Sequence, residues 1–325
     1  MTARHSSARH IEAILMLVLA NAFWGLSFPL NKAIAFTHQQ LLPGSSSWFV
    51  TACLVAPRFL LAAVILGLWL RGGLRGMTRL EVRQGVILAL FNVMGMVFQI
   101  DGLQYTLAST SAFLTQVYAV LIPLWLALRR RRLPPAIVWV CCVLVLAGVA
   151  VLGHFDWRAL RLGRGEIETL VSALFFMGQI LALDRADFAA NRPLPVTFVL
   201  FAFEGVVCLG LVAVSAPRLA DAPLLLTSAP WVGFTVALTL FCTVGAFTLM
   251  NAFQPRITAT EAGLIYCLES VFGSGLALFL PALFSRWGGF AYPNETLTFS
   301  LLAGGGLITA ANVLIQLKPL PKTPA

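Results

Sequence analysis

Three ionisable side chains lie near the centres of long apolar stretches, where a charged group is energetically costly. They are Arg58, Glu204 and Glu269. A charge at the centre of a lipid bilayer costs about 2.5–3.5 kcal/mol on insertion scales, so such residues mark ion pairs, solute sites or proton carriers. Arg58 could bind a carboxylate, whereas Glu269 could bind an ammonium group or carry a proton. Arg58 and Glu204 could equally form an ion pair that only holds helices together.

Other polar and aromatic side chains within the apolar stretches could line the same site. Glu269 lies among small residues, which let helices approach closely and leave room for a cavity. Asn21 and Trp24 are three residues apart and therefore share a helix face. Lys32 is a further candidate for an ion pair or for coupling, although it could also snorkel to the membrane surface. The remaining candidates for solute binding, each of which could instead bridge helices, are Gln99, Gln116, Tyr118, Gln179, Asn251 and Tyr266.

The composition of the chain indicates that these residues lie in a protein surrounded largely by lipid. Of 325 residues, 59% are hydrophobic and 11% are charged, and the mean hydropathy is +0.88. Soluble domains carry roughly 25% charged residues, so lipid must cover much of this surface. This composition excludes a soluble enzyme, a nucleic-acid-binding domain and a secreted disulfide scaffold. The six cysteines all fall in apolar stretches without metal-site spacing, which predicts small buried side chains.

The apolar stretches predict an all-α membrane protein with ten transmembrane helices. Each stretch is long enough to cross a bilayer as a helix, which satisfies its own backbone hydrogen bonds. The predicted spans cover residues 12–36, 48–70, 84–104, 107–128, 134–153, 165–187, 194–216, 230–253, 258–284 and 297–317.

The distribution of basic residues predicts the orientation. With the N-terminus in the cytoplasm, 15 of the 22 Lys and Arg residues face the cytoplasm, 5 face the opposite side, and Lys32 and Arg58 fall inside spans. This asymmetry follows the positive-inside rule and predicts that both termini are cytoplasmic. The exception is the loop that contains Arg158, Arg161 and Arg164, which would face outward.

The two halves of the chain match each other at a nearly constant offset. A shift of 150 residues aligns Gly95 with Gly245 and Gln104 with Gln254, and a shift of 152 aligns Trp24 with Phe176. The sequence therefore predicts two repeats, at residues 1–153 and 154–325, each with five spans. An odd number of spans inverts the second repeat, a plan that recurs in secondary transporters with a solute site near the midplane. Duplication retained only for packing is the alternative.

Several short motifs resemble those of a known family. They are Trp24-Gly25-Leu26-Ser27-Phe28, Pro57-Arg58-Phe59-Leu60, Gly102-Leu103-Gln104-Tyr105-Thr106, Ser111-Ala112-Phe113-Leu114-Thr115 and the ninth-span run from Leu264 to Phe272. In order and spacing the chain resembles an EamA-type, ten-helix member of the drug/metabolite transporter superfamily. It departs from that family at Ser270, where proline is common, and in the loops after the fourth and ninth spans.

The resemblance implies a secondary transporter, and not an enzyme, that moves a small solute through the inner membrane of a bacterium. We expect alternating access, export of a metabolite such as an amino acid, and H+ as a candidate coupling ion. A cationic-drug exporter is the main alternative; a membrane scaffold and a lipid-active enzyme represent other classes. We expect no cofactor, no metal site and no nucleic-acid partner. The solute, the direction of transport and the oligomeric state stay open at this point.

Overall fold

A computed structural model of the protein describes residues 2–106, 111, 114–152, 163–216 and 218–317. Every regular element within these residues is helical. The α-helices are α1 (Thr2–Leu41), α2 (Ser47–Leu70), α3 (Arg79–Gly102), α4 (Tyr118–Arg130), α5 (Ala136–Leu152), α6 (Arg164–Leu183), α7 (Pro193–Ser215), α8 (Ala229–Ala237), α9 (Ala246–Phe253), α10 (Ala259–Tyr266), α11 (Leu268–Ala277), α12 (Leu280–Gly288) and α13 (Phe299–Leu317).

Shorter helical segments connect several of these helices. A π-helix over Leu238–Gly245 joins α8 to α9, and the three form one continuous segment. Turns of 3₁₀-helix cover Ala186–Phe188, Leu219–Thr227 and Gln254–Arg256.

Six segments among the described residues are long and apolar enough to cross a membrane: Arg9–Leu41, Ser47–Leu70, Arg79–Gly102, Arg164–Leu183, Pro193–Ser215 and Ala229–Arg256. A seventh candidate is a bent segment formed by α10, α11 and α12. The apolar parts of α5 and α13 are shorter. The protein is therefore an all-helical, integral membrane protein with six or seven candidate spans, and the count of ten stays a prediction.

Parts of three predictions lie outside the described residues. Residues 107–110, 112 and 113 belong to the predicted fourth span and to one of the family motifs. Arg158 and Arg161 belong to the loop that departs from the positive-inside pattern, and the C-terminal lysines Lys318 and Lys322 follow the last described helix.

The predicted ninth span, 258–284, is not straight. Its helical axis bends by 61° between α11 and α12. Pro281 lies in the first turn of α12, where it has no N–H to donate to the preceding turn and its ring would clash with a continuing helix. Phe279, between the two helices, has a non-helical backbone conformation with φ −141° and ψ −27°. The apolar run therefore predicted the helices but not the bend.

Local capping explains where two of the helices that form the site begin. The hydroxyl of Thr78 accepts a hydrogen bond from the Glu81 backbone at the start of α3, and the Glu81 carboxylate accepts one in return from the Thr78 N–H. Thr258 and Glu261 form the same reciprocal pair at the start of α10. Each pair satisfies backbone donors that the first turn of a helix leaves free.

The helices pack in pairs that join the two halves of the sequence. The most extensive contacts pair α2 with α7, α5 with α13, and α3 with α6. Helix α1 packs against α11 and against the segment formed by α8, the π-helix and α9. Large apolar side chains such as Val214 and Phe299 remain exposed on the outer surface, as expected where lipid is the solvent.

Gly25 allows α1 to lie directly against α11. A Cβ atom at this position would be 2.6 Å from Phe272 Cβ and 2.7 Å from the backbone nitrogen of Gly273. We expect Gly25→Ala to lower the thermal stability of the detergent-solubilised protein, because overpacking costs about 1–3 kcal/mol. The control is Gly210→Ala in α7, where no atom lies within 4 Å of the added carbon. A melting temperature for Gly25→Ala at or above that of the control would contradict this packing.

Candidate functional site

A cavity lies between helices from both halves of the sequence. Its empty volume, including the part that is open to solvent, is about 700 Å³. Seven of the ten residues predicted to bind solute line it: Trp24, Arg58, Gln99, Tyr118, Gln179, Tyr266 and Glu269. The other lining residues are Ser27, Asn31, Asn92, Met96, Ile100, Thr115, Phe176, Ile180, Phe247 and Met250.

Arg58 is the cation of this cavity, and its side chain is only 1% exposed. Its Nε donates a hydrogen bond of 2.8 Å to the Oγ1 atom of Thr243 in the π-helix. The guanidinium carbon lies 5.0 Å from the centre of the Phe59 ring. Its Nη2 atom has no hydrogen-bond partner. One side of the guanidinium is therefore fixed to the protein, while Nη2 remains a donor for an anionic group.

Glu269 is the carboxylate of the cavity. It is the second residue of α11, immediately after the break at Cys267. The first turn of a helix favours a negative charge, because free backbone N–H groups and the helix dipole lie there. Within the described residues its side chain makes no hydrogen bond or ion pair, and it is partly exposed to the cavity. Glu269 can therefore accept a hydrogen bond from a cationic group that enters the cavity.

Glu204 lies behind the cavity wall rather than in it. One of its oxygens accepts a hydrogen bond of 2.5 Å from the Nδ2 atom of Asn92, which does line the cavity. The other oxygen is buried without a partner. Among the described residues, no ion pair links Arg58 to Glu204 or to Glu269. The direct Arg58–Glu204 pair that the sequence allowed is therefore not formed in this conformation.

Aromatic rings form one wall of the cavity. The Trp24 ring lies edge-on to Phe247 and to Tyr266, with ring centres 5.4 Å apart in both pairs. The Tyr266 hydroxyl donates a hydrogen bond of 2.8 Å to Gln254, whose amide nitrogen in turn donates to the Ile180 carbonyl. This network fixes the orientation of the Tyr266 ring. The wall can pack against the apolar part of a solute.

Two glutamines of the cavity differ in whether their amide groups are free to donate a hydrogen bond to a solute. Gln99 donates a hydrogen bond of 3.2 Å to the hydroxyl of Thr115, which lines the same cavity. Gln179 is buried, and its Nε2 atom has no hydrogen-bond partner. A buried amide that lacks a partner is costly, so Gln179 is a second donor available to a bound solute.

Besides Glu204, the structure places four predicted residues outside the cavity lining. Asn21 donates to the Leu17 carbonyl within its own helix, Gln116 donates to Ser270 Oγ, and Asn251 donates to Thr197 Oγ1. The bond of Asn21 lies within its own helix, and those of Gln116 and Asn251 join separate helical segments. All three side chains thus take the alternative to solute binding that the sequence left open. Lys32 is exposed, its Nζ lies 5.2 Å from the centre of the Tyr292 ring, and it is not among the residues that line the cavity.

Sequence reasoning missed Asn92, which links the cavity to Glu204. It also missed Thr243, which orients Arg58, and Asn31, which lines the cavity. A signal for Asn92 was present, because it lies seven residues before Gln99 and therefore on the same helix face. Thr243 could not be found in this way, since it belongs to a π-helix whose register a 3.6-residue period does not describe.

Comparisons with known proteins agree with this architecture. Residues 11–153 match the model of the EamA-like transporter family. An uncharacterized transporter from Archaeoglobus fulgidus is 26% identical over 321 residues, which cover 95% of this chain and 87% of the relative. A protein of known crystal structure superposes with a TM-score of 0.64 at 20% identity, over 95% of this chain and 97% of that one, which establishes a shared fold.

The helical membrane fold and these matches define a membrane transporter. More specifically, residues 11–153 are similar to the EamA-like transporter family, and nearly the whole chain is similar to the transporter from Archaeoglobus fulgidus. Its partners therefore include a small-molecule solute and the lipid bilayer. Transporters of this family are generally not enzymes.

Proposed function

We propose that the protein is a secondary transporter that exports a small zwitterionic metabolite, such as an amino acid, by alternating access to the cavity. One observation carries the proposal: Arg58 and Glu269 line one cavity, and neither Arg58 Nη2 nor the Glu269 carboxylate has a hydrogen-bond partner among the described residues. A carboxylate would bind Arg58 and an ammonium group would bind Glu269. The apolar part of the solute would pack against the wall formed by Trp24, Phe247 and Tyr266.

Two helix breaks support the proposed inverted repeats. Val117 precedes α4 and Cys267 precedes α11, and the two residues are 150 positions apart. Each donates its backbone N–H three residues back, Val117 to Leu114 and Cys267 to Leu264. Both breaks therefore have the same geometry at the offset found in the sequence. Discontinuous helices of this kind form the solute sites of many transporters.

Contacts between helices follow a similar relation. Gly95 in α3 packs against the ring of Phe176 in α6, and Gly245 at the end of the π-helix packs against α1 at the ring of Phe23, one residue before Trp24, which aligns with Phe176. Such matched contacts are expected if a pseudo-twofold axis relates residues 1–153 to residues 154–325. On this basis the ten spans comprise five from each repeat, with the cavity between them.

We propose that the protein lies in the inner membrane of a bacterium with both termini in the cytoplasm. The distribution of Lys and Arg supports this orientation. H+ is the coupling ion that the site could carry, on Glu269 in the cavity or on Glu204 behind Asn92. A proton gradient imposed across proteoliposomes would then drive solute flux, and flux that does not respond to the gradient would exclude this coupling.

A cationic-drug exporter is the alternative that a specific observation favours. Glu269 and the aromatic wall could together hold an organic cation, and Arg58 would then have no role in binding. A scaffold would not need partnerless polar groups in an internal cavity, and a lipid-active enzyme would need a catalytic constellation at the membrane surface.

Transport by the purified full chain in proteoliposomes distinguishes these functions. The solute panel contains labelled amino acids with apolar side chains and labelled lipophilic cations. We expect saturable transport of at least one amino acid and no transport of the cations above that of protein-free vesicles. Transport of the cations alone would replace the proposed function with the alternative, and transport of neither class would refute both.

A further inference from the structure

A cluster of charged groups joins the two halves of the chain where α3 ends and α6 begins. Arg164, the first residue of α6, forms an ion pair with Asp101 near the end of α3 and donates 2.8 Å hydrogen bonds to Glu168 and to the Tyr105 hydroxyl. Its guanidinium carbon lies 4.1 Å from the centre of the Tyr105 ring and 5.7 Å from that of Trp48. We call this group the Arg164 cluster.

The Arg164 cluster adjoins the cavity. Asp101 directly follows Ile100, which lines the cavity, and Asp101 is completely buried. The backbones also meet here, since a Cβ atom on Gly165 would lie 2.8 Å from the Gly102 carbonyl oxygen. Opening the cavity past this point would separate α3 from α6 and break the Arg164–Asp101 ion pair.

A second charged contact joins the halves near the start of the apolar span Arg9–Leu41 of α1 and the end of the segment containing α9. Arg256 donates a hydrogen bond of 2.8 Å to the carboxylate of Glu12. Glu12 and Arg164 are 152 residues apart, which is the offset between the first and sixth spans. Arg256 and Thr106 are 150 residues apart, and Thr106 donates a hydrogen bond to Glu166 in α6. The residues of the Glu12–Arg256 contact thus align with Arg164 and Thr106, which lie in the same region of the fold, although Arg164 pairs with Asp101 and Thr106 with Glu166.

We propose that the Arg164 cluster is the main gate of the cavity and that Glu12–Arg256 is its weaker counterpart at the opposite end. The inference rests on the proposed alternating access, in which the two ends open in turn. The contacts differ in strength because Asp101 is 0% exposed, whereas Glu12 is 51% exposed and its ion pair is screened by water. We therefore expect the end of the cavity at the Arg164 cluster to be closed when no solute is bound.

Cysteine accessibility in membrane vesicles tests this gate without any solute. All six native cysteines are buried and unpaired, so the wild-type chain supplies the baseline of labelling. Ser27→Cys places a reporter in the cavity wall. A membrane-impermeant thiol reagent is applied to right-side-out and to inside-out vesicles, which resolves access from each side.

Arg164→Ala in the reporter background is expected to raise the labelling rate from the side where α3 ends by about tenfold, as the loss of charged hydrogen bonds implies. Glu12→Ala is expected to change labelling from the other side by less than about twofold. The control is Arg185→Ala, which removes an exposed ion pair with Asp187 within one half of the chain. It is expected to leave both rates unchanged.

Arg164→Lys keeps the charge but cannot reach Asp101, Glu168 and Tyr105 together, so it is expected to give a smaller rise from the same side. This variant keeps the test decisive if Arg164→Ala does not fold. Labelling by the folded variants that equals that of the control would overturn the gate. Because labelling needs no solute, a failed transport assay together with a shifted labelling rate would reject the proposed solute and retain the gate.

Discussion

Replacing Glu269 with Gln is expected to reduce amino acid transport in proteoliposomes by about one to two orders of magnitude. The substitution preserves the shape of the side chain but removes the only carboxylate among the described residues that line the cavity. A hydrogen bond to a charged group contributes about 1.5–3 kcal/mol, and each 1.4 kcal/mol corresponds to a factor of ten. The loss would appear in the concentration of solute that gives half-maximal transport, and in the coupled flux if Glu269 carries the proton.

The matched control is Glu295→Gln, which changes the same chemical group at an exposed position outside the cavity. It is expected to leave transport and the melting temperature unchanged. A Glu269→Gln variant that folds and transports at the wild-type rate would remove Glu269 from the site.

The second large effect is expected at Arg58. Arg58→Lys keeps a positive charge, but an ammonium group cannot both replace the Nε–H bond to Thr243 and present a second donor in the position of Nη2. We expect the half-saturating concentration of an amino acid to rise by about tenfold or more. Transport of an organic cation, if present, would not fall, because Arg58 has no attractive interaction to offer it.

Two further variants separate binding from packing at Arg58. Thr243→Val removes the acceptor that orients the guanidinium and is expected to weaken amino acid transport less than Arg58→Lys does. Arg185→Lys, at an exposed position, is the control for the loss of guanidinium geometry. Wild-type affinity in Arg58→Lys, with the protein folded, would show that Arg58 does not bind the carboxylate.

The charged members of the candidate site could be predicted from the sequence because a charge inside an apolar stretch is costly and therefore informative. Arg58 and Glu269 were identified in this way, and both line the cavity. The role of Glu204 was harder to predict from the sequence. Its hydrogen bond to Asn92 joins residues 112 positions apart, and it depends on how α3 packs against α7.

The helices were predicted better than their interruptions. Apolar runs predict where a helix can cross the membrane, but the breaks at Val117 and Cys267 contain neither Pro nor Gly. The bend at Phe279 has a signal in Pro281, yet a proline in a membrane helix can also be accommodated without a bend. The π-helix over Leu238–Gly245 could not be predicted either, because the spacing of apolar residues does not indicate it.

The internal repeat stays a prediction. A nearly constant offset predicts which residues would correspond, and the helix breaks before Tyr118 and Leu268 occur at an offset of 150. The offset could not predict which corresponding residues would line the cavity. Gln104 donates hydrogen bonds to α2, whereas Gln254, which aligns with it, accepts one from Tyr266, because the two side chains have different neighbours.

The most direct test of a zwitterion site between Arg58 and Glu269 is a set of dissociation constants measured by titration calorimetry on the purified protein. The ligands are the amino acid transported best, its methyl ester, which lacks the carboxylate, and its N-acetyl derivative, which lacks the ammonium group. The wild type is expected to bind the amino acid at least about tenfold more tightly than either derivative. Arg58→Lys should lose most of the preference over the ester, and Glu269→Gln most of the preference over the N-acetyl derivative. Equal binding of all three ligands by the wild type, or unchanged preferences in both variants, would contradict the account.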